Sequence, residues 1–168
     1  NVIRQAIDDI RDTAASFGRA FVVETMGRHC GYLAAVSALT SGAELCLIPE
    51  VPYNLDSAAT RLQRDMKAGR RFAIAVIAEG VGDSNKIVRW FEDTIGMECR
   101  ASILGHIQRG GSPTVFDRRM AFLFATAAVD GLCAGDSGFV TVARGGKVAT
   151  EPIASIATAS YQMDPYIL

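Results

Sequence analysis

The sequence predicts an α/β fold, a mostly parallel sheet sandwiched between helices with a small C-terminal hairpin. Three observations carry that prediction. Helical and strand-like segments alternate along the chain, which is the pattern of strands joined by crossover helices. The strand-like segments are continuous apolar runs rather than alternating ones, as expected of strands covered on both faces. Near the end, two short runs flank Gly145-Gly146, a pair suited to a tight hairpin turn.

The elements follow in order. Val2, Ile3, Ala6, Ile7, Ile10 and Ala14 recur with helical spacing. Ala20–Glu24 has the length and β-branched content of a strand. Residues 28–40 are rich in Ala and Leu and stop near Gly42, so they predict a helix with a glycine end. Leu45–Ile48 predicts a second strand, closed by Pro-Glu-Val-Pro at 49–52. Asn54 or Asp56 caps a helix reaching about Lys67. Phe72–Ala78 is the clearest buried strand. A helix over about 85–94 ends at Gly96, and Cys99–Leu104 is the fourth strand. Pro113 stands near the start of a long helix to about Leu132. Gly138–Ala143 and Lys147–Thr150 form the hairpin.

A length of 168 residues fits one domain over 1–168 and is enough to bury roughly 70% of the unfolded surface. Seventeen basic residues against eighteen acidic ones leave a net charge of −1, which points to no nucleic-acid or membrane-surface partner. The four cysteines, Cys30, Cys46, Cys99 and Cys133, have neither C-x-x-C spacing nor the setting of a disulfide framework. Reduced thiols in a soluble, cytoplasmic protein are expected, and no apolar stretch approaches the roughly 20 residues of a membrane helix. The chain opens in or just before a helix, on Asn1 rather than Met. It is therefore expected to be a fragment of a longer chain, although processing of a precursor would look the same.

In open α/β sheets, ligands bind beyond the carboxyl ends of the strands. The first strand runs into Glu24-Thr25-Met26-Gly27-Arg28, the second into Pro49-Glu50 and the third into Glu79-Gly80. The fourth runs into the segment 105–113, GHIQRGGSP. Taken singly, each polar residue reads as an ordinary strand end or helix cap. Their convergence on one edge points to a ligand.

Within 105–113, the glycines let a ligand approach the main chain. His106 can hydrogen-bond an anion or a hydroxyl, and Arg109 offers a planar, permanently charged fork suited to phosphate. Arg28 falls at a predicted helix start, where the helix dipole disfavours a cation. Either an anionic ligand offsets that cost, or Arg28 points to water or pairs with Glu24. Glu79 is a candidate acceptor for sugar hydroxyls. No G-x-x-x-x-G-K-[ST] loop occurs, Gly80-Val81-Gly82 lacks the third glycine of a dinucleotide fingerprint, and no nucleophile elbow is present.

The segments FVVETMGRHCGYLA at 21–34, AIAVIAEG at 73–80 and ECRASILGHIQRGG at 98–111 together resemble the 6-phosphofructokinase family, in the right order and at suitable intervals. The match runs from the opening helix to the hairpin and weakens over the last twenty or so residues. The resemblance implies an ATP-dependent transfer of phosphoryl to the 1-hydroxyl of fructose 6-phosphate, with this chain as the sugar-phosphate part. It implies that Met26, Gly27, Arg28, Glu79, His106 and Arg109 bind fructose 6-phosphate: Glu79 at the sugar hydroxyls, His106 and Arg109 at the 6-phosphate end, Arg28 near the transferred group as the catalytic cation. Arg19 and Arg100 match arginines that reach the 6-phosphate in a neighbouring subunit's site, so a homo-oligomer, most often a tetramer, is expected. Arg11, Glu44 and Arg70 match positions of an allosteric effector site, although Ala68 stands where that site has a basic residue. The family's ATP and Mg2+ sites and its catalytic base belong to an earlier part of the chain. No metal ligands are therefore expected here, and the 168 residues alone are expected to be inactive. A pyrophosphate-dependent enzyme and a non-catalytic sugar-phosphate or effector-binding module are the alternatives.

Overall fold

Four apolar runs become the strands β1 (Ala20–Thr25), β2 (Leu45–Leu47), β3 (Ala73–Ala78) and β4 (Cys99–Ile103) in a computed structural model that describes residues 1–167. They form one sheet in the order β2-β3-β1-β4, and every pairing is parallel. Parallel neighbours need crossover connections, and helices supply them. These are α2 (Tyr32–Ser41), α3 (Leu55–Lys67) and α4 (Ser84–Trp90), the last running into a π-helical turn over Phe91–Ile95, while α1 (Val2–Phe17) precedes β1.

The central strand shows why the sheet is covered on both faces. Every residue of β3 is buried. Ala73, Ala75 and Ile77 pack with Leu62, Ile87 and Phe91 of the α3–α4 layer. Ile74, Val76 and Ala78 pack on the other face with Ile3, Ile7, Ala34 and Ala38 of α1 and α2. Alternate residues of a strand point to opposite faces, so a strand with helices on both sides must be apolar throughout. Helix ends follow their local chemistry. Gly18 and Gly42 close α1 and α2 in left-handed conformations, and the Asn54 side chain caps α3 by accepting the N–H groups of Asp56 and Ser57.

One boundary differs from the sequence prediction in a way that matters for the site. The helix after β1 begins at Tyr32 rather than Arg28, and residues 26–31 form a turn. Gly27 adopts φ 142°, and a Cβ there would lie 2.5 Å from the Cys30 carbonyl oxygen. Gly31 presses on Ile48, with room for no side chain, and its N–H donates to Glu50 Oε1 at 2.7 Å. These contacts hold the turn open and delay the helix. Arg28 is therefore not at a helix start, and the helix dipole has no bearing on it.

The chain, for which the sequence predicts a single domain over 1–168, groups into two compact units. The first comprises Asn1–Gly110 with the segment from Met163, and the second Gly111–Gln162. In the second unit α5 (Val115–Cys133) carries a capping box between Thr114 and Asp117. Strands β5 (Phe139–Arg144) and β6 (Lys147–Pro152) form an antiparallel hairpin, followed by the short α6 (Ile153–Ala157). Both turn glycines, Gly145 and Gly146, have positive φ, as a two-residue hairpin turn requires. No residue of α5 is buried, and Val115, Phe116, Phe122, Val129 and Leu132 are all exposed. One face of α5 (Met120, Leu123, Phe124, Ala127 and Ala128) is half-buried, and Gly131 lies so close to Phe139 that a Cβ would come within 2.7 Å of its ring. Among the described residues, no helix is long and apolar enough to cross a membrane.

Candidate functional site

Register places the first three site segments side by side. Thr25 of β1 pairs with Ala78 of β3, so Met26-Gly27-Arg28 and Glu79-Gly80 leave the sheet as neighbours. The two turns interlock through backbone. Gly27 N–H approaches Glu79 Oε1 at 3.4 Å, and Gly80 packs so closely on the Arg28 carbonyl that a Cβ would come within 2.1 Å of its oxygen. Only glycine fits position 80. Met26 and Gly27 are half-buried at the base of the turn, whereas Arg28 and Glu79 are exposed.

A cavity of about 540 Å³ lies at this edge, lined by Arg28, His29, Pro49, Glu50, Glu79 and Gly80. An arginine, a histidine and two carboxylates thus face one space. A guanidinium serves anionic groups and a carboxylate accepts from hydroxyls, so the pair Arg28 and Glu79 suits a ligand carrying both phosphate and sugar hydroxyls.

His106 and Arg109 arrive on the other side of β1. Glu24 pairs with Ile103 of β4, and Leu104 N–H donates to the Glu24 carbonyl at 3.0 Å. The chain then makes a 3-10 turn over Gly105–Gln108. Gly105 supports that turn with φ 48°. His106 and Arg109 are exposed at the same edge as Arg28 but do not line the 540 Å³ cavity. Gln108 is turned inward, donating to the Gly105 carbonyl at 3.2 Å. Among the described residues, the side chains of Arg28, His106 and Arg109 have no hydrogen-bond or ion-pair partner.

Arg19 and Arg100 lie at the opposite edge. Arg19 immediately precedes β1, and Arg100 is the second residue of β4. The six residues of β1, at about 3.3 Å each, separate this edge from the Met26 turn by roughly 20 Å. One small ligand cannot touch both edges of the same chain. Arg19 Nε contacts Glu98 Oε2 at 2.8 Å, and Arg100 binds the same carboxylate through its other oxygen.

Arg11, Glu44 and Arg70 also belong to the amino-terminal edge, near the starts of β2 and β3. Glu44 is almost fully buried. It pairs with Arg70 and accepts the Ile74 N–H at 2.7 Å. Arg11 donates to the carbonyls of Ser41 and Gly42 at the end of α2, and its guanidinium sits 5.8 Å from the Phe72 ring centre. A cavity of about 580 Å³ at this edge is lined by Arg70, Arg71, Phe72, Ala68, Gly69, Asp65 and Ala15.

Three residues of the carboxyl-edge site escape the sequence-derived set. His29 and Glu50 line the cavity, and Gly80 is the contact between its two turns. Glu50 was visible as a strand-end carboxylate, and Gly80 as the residue after Glu79. His29 carried no signal, because nothing in sequence shows that α2 starts three residues beyond it. Among the described residues, no group of three or more His, Cys, Asp or Glu side chains is placed to hold a metal ion.

The sequence model of the family described as Phosphofructokinase matches residues 1–132. The chain is 54% identical over 168 residues to the ATP-dependent 6-phosphofructokinase of Sulfurovum sp. (strain NBC37-1), covering all of this chain and 51% of that protein. It is 50% identical over 171 residues to the ATP-dependent 6-phosphofructokinase of Sulfurimonas denitrificans, covering all of this chain and 53% of that one. The chain thus spans about half the length of the curated relatives it matches. The solved phosphofructokinase of Saccharomyces cerevisiae superposes with a TM-score of 0.82 at 30% identity, over 91% of this chain and 22% of that one. A motif set on three strand ends, a parallel sheet that brings those ends together and these matches agree: the chain belongs to the phosphofructokinase family.

Proposed function

We propose that the chain is the sugar-phosphate-binding part of a cytoplasmic, ATP-dependent 6-phosphofructokinase, which transfers phosphoryl from ATP to the 1-hydroxyl of fructose 6-phosphate. The observation that carries this reading is the carboxyl edge of the sheet. There Arg28 and Glu79 share a cavity, His106 and Arg109 stand on the next strand, and the three cationic or ionisable donors have no partner among the described residues. Unpaired guanidiniums are available to an anion, since no internal ion pair must break first. That the named relatives are ATP-dependent supports ATP over pyrophosphate as donor.

On this reading Glu79 accepts hydrogen bonds from sugar hydroxyls, and Met26 and Gly27 form the wall that lets the sugar approach the backbone. His106 and Arg109 hold the 6-phosphate. Arg28 places its charge where negative charge grows on the transferred group, and phosphoryl transfer depends mainly on such positioning and charge stabilisation. Mg2+ and the ATP phosphates are held by residues outside this chain, so no step here is routed through them. Arg19 and Arg100, roughly 20 Å away along β1, serve the 6-phosphate of a neighbouring subunit, which makes the enzyme a homo-oligomer such as a tetramer. Arg11, Glu44 and Arg70 frame an effector site at that same amino edge, beside the cavity that includes Arg70.

In the complete enzyme, Arg109→Ala should raise the KM for fructose 6-phosphate at least roughly tenfold, the weight of one charge-assisted phosphate contact. Steady-state kinetics at saturating ATP measure it. An unchanged KM removes Arg109 from the site.

A further inference from the structure

Two arginines of the amino edge share one carboxylate. Glu98 Oε2 contacts Arg19 Nε at 2.8 Å, and Glu98 Oε1 binds Arg100 Nη2. The backbone at Glu98 is fixed as well. The Ala20 N–H donates to the Glu98 carbonyl at 2.8 Å, and Ala20 pairs with Cys99, so Glu98 and Arg19 immediately precede paired residues of adjacent strands. Arg100 is steadied further, donating through Nη1 to the Cys99 carbonyl at 3.2 Å, with Glu92 3.9 Å away. Arg19 meets Glu98 through Nε, which leaves both of its terminal nitrogens for a second anion.

We propose that Glu98 is a positioning residue that holds Arg19 and Arg100 together as a single, ready-made fork for phosphate. The inference rests on the reading in which these two arginines serve the 6-phosphate of a neighbouring subunit. Two guanidiniums side by side repel each other, and each is a long arm whose ordering on ligand arrival costs entropy. One carboxylate between them offsets the repulsion and takes that ordering cost before the ligand arrives, while the terminal nitrogens of Arg19 stay free to donate to phosphate. The opposing effect is repulsion between Glu98 and the incoming phosphate. All three side chains are partly exposed, so solvent and salt weaken that repulsion, whereas the tether acts at contact distance. Positioning is therefore the larger effect, and it sets the sign of the test.

The experiment measures KM and kcat for fructose 6-phosphate in the complete enzyme. Glu98→Gln should raise KM roughly tenfold with kcat within about twofold and an unchanged unfolding midpoint. Glu98→Asp keeps the charge but shortens the reach, so it too should raise KM. Adding Glu98→Gln to an Arg19→Ala, Arg100→Ala variant should change nothing further, because the residue acts only through those two arginines. An unchanged or lowered KM in Glu98→Gln overturns the proposal, as does an effect that persists undiminished without the arginines. If Arg19→Ala and Arg100→Ala raise KM but Glu98→Gln does not, the proposal alone falls. If the arginine variants leave KM unchanged, the neighbouring-subunit reading falls and takes the proposal with it.

Discussion

The two edges of the sheet treat their arginines in opposite ways. At the carboxyl edge, Arg28 and Arg109 stand on glycine-shaped turns with no internal partner among the described residues. At the amino edge, Arg19 and Arg100 are tied to Glu98, and Arg70 is tied to Glu44. At the carboxyl edge, precision comes from the backbone, since interlocked turns aim side chains that stay free. At the amino edge it comes from counter-charges that hold the side chains themselves. The first arrangement suits the wall of a pocket built from this chain's own strand ends, and the second suits side chains that must stay ordered until another surface meets them.

The largest effect expected from breaking this contrast is at Arg28. In the complete enzyme, Arg28→Ala should lower kcat about 100- to 1000-fold, the usual loss on removing one group that stabilises transition-state charge. A kcat close to that of the unaltered enzyme at saturating substrates would deny Arg28 that role. Next comes the backbone that aims it. Gly80→Ala forces a methyl group to within 2.1 Å of the Arg28 carbonyl oxygen, which should cost about 1–3 kcal/mol in urea unfolding and raise KM for the sugar phosphate. For the unfolding measurement Gly110→Ala is the control, because a Cβ there meets nothing within 4 Å.

The smallest effect concerns the thiol beside the amino-edge arginines. Burial pushes the Cys99 thiol up from 9.0 to about 12, with the Glu92 carboxylate adding to the rise and Arg100 opposing it. The folded chain holds that proton more tightly than the unfolded chain. Its contribution to stability is therefore complete below pH 9 and is lost as pH rises toward 12. At pH 8, iodoacetamide followed by mass spectrometry should find the exposed Cys133 modified and the buried Cys99 intact until the chain is denatured. Native labelling of Cys99 would show that the edge opens.

Much of the sheet was legible because its signals are local. The run AIAVIA has the length and unbroken apolar character of a doubly covered strand, and Gly42 ends a helix where the sequence changes character. Met26, Glu79, His106 and Arg109 were legible as strand-end residues because a parallel sheet sends all such ends to one edge. What sequence hid is non-local. The delayed start of α2 depends on Gly31 meeting Ile48 and Glu50, so Arg28 looked like a helix residue and His29 went unnoticed. The pairing of Glu98 with both arginines depends on β1 and β4 being neighbours, an order no stretch of chain displays.

The central claim is that the two edges of one sheet serve two different pockets, and subunit mixing tests it most directly. In the complete enzyme, an Arg109→Ala variant and an Arg19→Ala variant should each use fructose 6-phosphate poorly. Where sites are shared between two subunits, a mixed pair has one pocket carrying both lesions and one carrying neither. Refolding the two variants together should then restore activity at low fructose 6-phosphate well above that of either alone. If the mixture performs only as the average of its two components, both edges act on the same chain's ligand and the account is wrong.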